Sequence, residues 1–238
     1  MSGQRPFPIR VIRTLWGLAS DRNYRNMAWL RLTRPHGVFQ PNNDTGADRY
    51  PAIFRFVQAE LGAERDVRLL SFGCSTGEEV FSLRRYFPRA VIKGIDINRL
   101  NIATCRRRLR GAPDMPISFE TAGSTAREPT AVYDAIFCMA VLRHGQLGLP
   151  GVTRCDHLIR FEDFANVVQD FSRCLKPGGL LVIRHSNFRL ADAPAGAGFE
   201  TILRVEIPRP EQMPLFGPDN RLLSGASYPD TVFRKKAA

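Results

Sequence analysis

The sequence predicts an α/β fold, a doubly wound, mostly parallel seven-stranded sheet with an antiparallel pair at its C-terminal edge. Three observations predict it. From about Val67 onward, short apolar runs alternate with helical patterns, the rhythm of a parallel sheet wound with helices. A glycine-containing turn, Gly73-Cys74-Ser75-Thr76-Gly77, follows the first run, and an acid, Asp96, ends the second. After Arg184 the rhythm stops: two further apolar runs are joined by a connection holding Pro, Gly and Asn that is too poor in helical pattern for another crossover.

Each element follows in order. Arg49 to Leu61 carries Ile53, Phe54, Val57 and Leu61 at helical spacing, with Gly62 as a stop, and should cover one face of the sheet. Val67 to Phe72 is the first strand. Gly77 to Phe87 is a helix with Val80, Leu83 and Phe87 inward, ended by Pro88. Ala90 to Ile95 is the second strand; Asn98 to Arg110 is a helix with arginines outward, stopped by Gly111 and Pro113; Ile117 to Thr121 is the third strand. The run Tyr133 to Ala140 is almost continuously apolar, as a strand buried on both faces requires. Phe161 to Leu175 places Phe164, Val167, Val168, Phe171 and Leu175 on one helical stripe, and Lys176-Pro177-Gly178-Gly179 turns the chain into a fifth strand, Leu180 to Arg184. Thr201 to Ile207 and Thr231 to Arg234 complete the sheet.

With 238 residues, 44% hydrophobic and 24% charged, the chain has the composition of one sizeable globular domain. Residues 1–44 read as a basic helical and loop extension, in which Ile12, Leu15, Trp16 and Ala19 share one helical face. Residues 45–238 read as the main domain, and the Pro- and Gly-rich stretch Thr33 to Asp48 as a loop able to fold over a ligand. No run approaches the roughly 20 apolar residues of a membrane span, and Arg10 and Arg13 interrupt the apolar run that a secretory leader needs. The five cysteines include no C-x-x-C pair, which argues against a disulfide framework or a zinc site and for a reducing cytoplasm. The net charge is +11, and residues 1–60 hold nine basic against four acidic side chains. A further cluster lies at Arg106, Arg107, Arg108 and Arg110. An arginine-rich N-terminal half suits RNA or another acidic partner, or is a solvated face.

The chemistry-bearing motif is the turn at Gly73 with Asp96 nineteen residues beyond Gly77. A glycine turn at a strand's carboxyl end lets a ligand approach the backbone, and an acid at the tip of the second strand takes both hydroxyls of a ribose. The G-x-G-x-x-G and G-x-x-x-x-G-K-[ST] loops are absent, so a dinucleotide or nucleotide hydrolysis loses support.

A ribose-binding, Rossmann-like domain of this order resembles the class I S-adenosylmethionine-dependent methyltransferases. Within them, Ser75-Thr76-Gly77-Glu78-Glu79 followed by Phe81-Ser82 is similar to the glycine loop of the chemotaxis-receptor methyltransferases, CheR. Thr45-Gly46-Ala47-Asp48-Arg49 with Phe54, Tyr133-Asp134-Ala135-Ile136-Phe137-Cys138, and Leu175-Lys176-Pro177-Gly178-Gly179 with His185-Ser186 also match. The chain departs from that family in having Ala47-Asp48 where an aromatic pair is usual, and Met139-Ala140 where Arg-Asn is usual.

The resemblance implies methyl transfer to an oxygen, a carboxylate of a protein or small molecule, with S-adenosylmethionine as cofactor. Gly73 and Gly77, with Phe72, Cys74, Ser75 and Thr76, would line its methionine end. Asp96 and Ile97 would meet the ribose, and Thr121, Ala122 and Gly123 the adenine. Thr45 and Arg49 would close over the carboxylate, Glu79 would anchor the amine or cap the loop, and Cys138 and Met139 would lie at the end of strand four. Arg49, His144 and His185 are the catalytic candidates, with Asn187 beside them. Each has a plainer reading: an ordinary strand-to-helix turn for the glycines, a helix cap for Asp96, a loop for 121–123, a surface ion pair for Arg49 and hydrogen-bonded structural groups for the histidines. The chain lacks Asp/Asn-Pro-Pro-Tyr, a Pro-Cys nucleophile and the Lys-Asp-Lys-Glu set, which argues against amino-nitrogen, cytosine C5 and ribose methylation. Two other readings stay open: an RNA-modifying methyltransferase, and a nucleoside- or partner-binding domain without turnover.

Overall fold

The computed structural model describes residues 39–40, 45–111, 115–207 and 212–237. The helix expected near the N-terminus and most of the loop before Thr45 lie outside them. The elements run α1 (Pro51–Leu61), β1 (Arg68–Phe72), α2 (Glu78–Tyr86), β2 (Val91–Asp96), α3 (Arg99–Leu109), β3 (Ile117–Thr121), β4 (Tyr133–Met139), α4 (Phe161–Cys174), β5 (Leu175–Arg184), β6 (Phe199–Arg204) and β7 (Asp230–Lys235). They build one seven-stranded sheet of order β3-β2-β1-β4-β5-β7-β6. The first five strands pair in parallel, and β7 runs antiparallel between β5 and β6. This is the expected architecture.

Alternation along the strands supplies both faces of the core. Leu69, Ala135, Phe137, Leu180 and Val182 face Phe54 and Val57 of α1, Val80 and Leu83 of α2, and Ile102 of α3. Their neighbours Leu70, Ile136, Cys138, Leu181 and Ile183 face Phe164, Val168 and Phe171 of α4. Three short 3₁₀ turns, Gly145–Gly148, Leu190–Asp192 and Pro194–Gly198, add Leu147 and Leu190 to this second layer. Among the described residues no helix is long and apolar enough to cross a membrane.

Among the boundaries that differ from expectation, which include β6 at Phe199–Arg204 rather than Thr201 to Ile207, two have a physical reason in the contacts. Pro51 takes the first position of α1, where its missing N–H costs nothing, so Arg49 and Tyr50 stay outside the helix. Strand β5 begins at Leu175, because Tyr133 pairs with Leu175 and Ala135 with Leu180. The Lys-Pro-Gly-Gly turn is therefore a bulge within a paired strand. Gly178 takes a left-handed φ of 74° there, and the Lys176 ammonium lies 2.8 Å from Asp134.

Candidate active site

The strand order reverses between β1 and β4, and ligands of doubly wound sheets bind at the carboxyl ends of strands at such a point. The backbone after β1 is built to turn there. Gly73 has φ 74°, Ser75 has φ 50°, and Gly77, at φ 91°, precedes the first turn of α2. The N–H groups of Gly73 and Cys74 both donate to the Ile95 carbonyl, at 2.8 and 2.9 Å. Asp96 fixes the next residue: its Oδ2 accepts the Ser75 N–H at 2.8 Å, while Oδ1 accepts the Asn98 N–H at 2.7 Å and the Asn101 amide at 3.2 Å. Asn98, not Asp96, caps α3 by accepting the Leu100 N–H. Burial raises the Asp96 pKa against these three donors.

An open cleft of about 410 Å³ lies above this turn. Gly73, Cys74 and Ser75 form one wall, Glu79 and Ser82 of α2 a second, and Met139 marks the end of β4. Thr45, Gly46, Arg49, Tyr50 and Phe54 close the remaining side. Helix α2 holds that side in place, since Ser82 Oγ accepts the Asp48 N–H and the Tyr86 hydroxyl donates to Asp48 Oδ1, both at 2.9 Å. These contacts give Asp48, one of the departures from the chemotaxis-receptor pattern, a structural task.

Of the residues named from sequence, Thr45, Arg49, Gly73, Cys74, Ser75, Glu79 and Met139 line the cleft. Phe72 and Cys138 do not: both are buried in the core, Phe72 edge-on to Phe171. Thr76 and Gly77 belong to the turn behind the wall, the Thr76 carbonyl accepting from Arg108 at 2.7 Å. Ile97, Thr121, Ala122 and Gly123 sit at the carboxyl ends of β2 and β3; a Cβ on Gly123 would come within 2.8 Å of the Ile97 side chain. His144 is drawn into structure: its Nδ1 caps the first 3₁₀ turn and its N–H donates to Asn187 Oδ1 at 2.8 Å. Asn187 also donates to the Pro214 carbonyl at 2.7 Å, so it ties loops together. Tyr50 was not singled out in the sequence, and Ser82 was quoted only within the glycine-loop motif. The signal for Tyr50 was Pro51 behind it, which leaves Tyr50 outside the helix and free to turn inward.

Glu79 is the electrostatic centre of the cleft. Its only hydrogen bond among the described residues comes from Ser71 Oγ at 2.7 Å, and no cation pairs with it. Burial, only partly offset by that bond, raises its pKa to about 7. A raised carboxyl pKa stabilises the fold below its unfolded value of 4.5, and that contribution is lost as pH rises toward 7. Glu79→Gln is therefore expected to gain about 2 to 3 kcal/mol of stability at pH 8 and almost none at pH 4.5. Urea unfolding at the two pH values checks this; an equal effect at both removes the desolvated carboxylate from the account.

His185 follows β5 with φ 56°, its ring 5.9 Å from that of Tyr50. Burial, reinforced by Arg184, Arg143 and Arg49, lowers its pKa to about 4, so it is neutral at pH 7. Elsewhere the arginine cluster braces the fold: Arg106 donates to the Phe119 carbonyl, and Arg108 pairs with Glu78 at 2.7 Å above the Phe81 ring.

The sequence profile of a family described as a methyltransferase domain matches residues 70–183, from β1 to β5. That stretch is similar to a methyltransferase domain, and it holds the five parallel strands of the sheet. The chain is also 29% identical over 136 residues to the trans-aconitate 2-methyltransferases of Acidovorax sp. (strain JS42) and Acidovorax ebreus (strain TPSY), covering 56% of this chain and 43% of theirs. It thus spans less than half the length of those relatives. Among solved structures, similar ones include a geranyl diphosphate C-methyltransferase from Streptomyces coelicolor A3(2) bound to S-adenosyl-L-homocysteine, at 19% identity and TM-score 0.41, covering 56% of this chain and 44% of that one. Another is a putative sarcosine dimethylglycine methyltransferase from Galdieria sulphuraria, at 21% and 0.41, covering 55% and 44%. The matched stretch contains the glycine turn, Glu79, Asp96 and Met139; Thr45, Arg49 and Tyr50 precede it and His185 follows it.

Proposed function

We propose that this chain is an S-adenosylmethionine-dependent methyltransferase that methylates a carboxylate oxygen of a small organic acid. The observation that carries the proposal is Glu79, a carboxylate without a cation, set in the cleft of a methyltransferase domain beside the glycine turn. The cleft suits the cofactor. Buried Ser75 Oγ has no hydrogen-bond partner there among the described residues, and Glu79 matches a cationic sulfonium or ammonium. Thr45 and Arg49 on the rim suit the cofactor carboxylate, the arginine through its fixed fork. Asp96 has three donors on its two oxygens and retains accepting capacity for a ribose hydroxyl.

S-adenosylmethionine supplies a methyl group on a sulfonium that carries its own leaving group. The protein's task is alignment, worth several powers of ten in rate when the acceptor is held at attack distance. No general base is needed for a carboxylate, which accords with His185 being neutral and only weakly basic. The glycine loop of chemotaxis-receptor type supports a carboxylate acceptor, and the name of the curated relatives supports a small acid rather than a protein.

Calorimetry tests the cofactor and a labelled-methyl assay tests the acceptor. A cationic ligand favours ionised Glu79, so S-adenosylmethionine should bind roughly tenfold more weakly at pH 5.5 than at pH 8, with proton release, and Glu79→Gln should remove that dependence. Incubation with labelled cofactor and trans-aconitate, succinate or benzoate should yield a base-labile methyl ester. No heat of binding at either pH defeats the cofactor assignment, and a base-stable product defeats the acceptor assignment.

A further inference from the structure

Beside the cleft, where β5 ends, the Tyr50 hydroxyl and His185 Nδ1 are buried and lack hydrogen-bond partners among the described residues. Their rings pack 5.9 Å apart, and Tyr50 lines the cleft. Buried polar atoms are nearly always hydrogen-bonded, and a ligand that satisfies both removes a cost of folding. His185 also holds a left-handed backbone, a conformation that persists in a non-glycine residue where the surroundings impose it and that gathers at ligand sites.

Arginines lie around this pair. Arg184, immediately before His185, is 6% exposed; it donates to the carbonyls of Val205 and Glu206 at 2.6 and 2.7 Å, and no carboxylate lies within 4 Å of it among the described residues. The Arg49 guanidinium carbon lies 5.4 Å from the Tyr50 ring centroid. Arg143 acts on both rings, and Glu79 is the acid that faces Tyr50. A buried arginine with no carboxylate within 4 Å among the described residues makes the corner attractive to an anion.

We infer that Tyr50 and His185 seat the methyl acceptor as a preformed carboxylate, the Tyr50 hydroxyl and the Nδ1–H of a neutral His185 both donating to it in the field of Arg49, Arg143 and Arg184. The inference rests on the methyltransferase reading and adds what selects the acceptor. One carboxylate oxygen is held while the other attacks. A C–O bond forms to the methyl carbon, the C–S bond breaks with its electron pair staying on sulfur, and no proton moves. His185 thus acts as a positioning donor and not as a base.

The test is a titration of the protein, with and without S-adenosylhomocysteine, using acetate, succinate and propane-1,2,3-tricarboxylate, with the matching amides as uncharged controls. The readout is the His185 ring resonance, assigned by its loss in His185→Gln. At least one acid should shift it saturably, and no amide should. Tyr50→Phe keeps the ring packing and should weaken acid binding by about fivefold or more, with S-adenosylhomocysteine affinity within about twofold of the parent. By calorimetry His185→Gln, which keeps a neutral donor, should retain acid binding that His185→Leu loses. Amides that bind like acids, an unmoved resonance with every acid, or unchanged acid affinity in Tyr50→Phe each overturn the inference. Absent S-adenosylhomocysteine binding with an intact acid response defeats the methyltransferase reading alone.

Discussion

Asp96→Ala is expected to destabilise the protein by about 3 to 5 kcal/mol and to abolish calorimetric binding of S-adenosylmethionine. The carboxylate is only 8% exposed and accepts three hydrogen bonds. Truncation leaves the Ser75 and Asn98 N–H groups and the Asn101 amide without their acceptor, and each buried unsatisfied donor costs about 1 to 3 kcal/mol before local relaxation. Asp96→Asn separates the two roles. Its remaining oxygen can keep the Asn98 N–H, but its amide then meets the Ser75 N–H donor to donor. It should therefore retain most of the stability while the glycine turn loses its tether and the ligand its affinity. Urea unfolding and calorimetry on both variants decide the matter. A loss below about 1 kcal/mol in Asp96→Ala would show that the tether is not structural.

The sheet was legible because buried parallel strands are nearly continuous apolar runs, so β4 at Tyr133–Met139 stands out without any partner information. Register was not legible. Lys176-Pro177-Gly178-Gly179 was correctly read as a turn, yet only the pairing of Tyr133 with Leu175 and of Ala135 with Leu180 shows that it interrupts a strand rather than preceding one. The 3₁₀ turns over the α4 face escaped notice because segments of three to five residues carry no periodicity.

The candidate site divides in the same way. Gly73, Ser75 and Glu79 were found because the turn has a fixed place after β1, and Thr45 and Arg49 because a motif marks them. His144 and His185 looked equivalent in sequence, each just beyond a strand. Contacts distant in sequence separate them: Asn187 takes the His144 N–H, whereas His185 meets Tyr50 of a segment more than a hundred residues earlier. Burial and three arginines then make His185 a poor base at neutral pH, a property of the assembled fold that no local pattern encodes.

Gly73→Ala is expected to cost about 2 to 5 kcal/mol and to leave no measurable cofactor binding. Two effects add. At φ 74° an L-residue with a Cβ loses about 1 to 2 kcal/mol to steric conflict with its own backbone. The new Cβ would also lie 2.4 Å from Val141 Cγ2, and a β-branched side chain has little rotamer freedom with which to withdraw. Overpacking of this kind costs about 1 to 3 kcal/mol and shifts backbone. That backbone is the cleft wall, so the strain falls on the ligand contacts themselves. The double variant Gly73→Ala/Val141→Ala resolves the two contributions: it should recover the packing part of the stability, against Val141→Ala alone as reference, but not the conformational part. Recovery of parental stability and full ligand affinity in the double variant would mean that the left-handed turn is dispensable, and that the glycine is there only to make room for Val141.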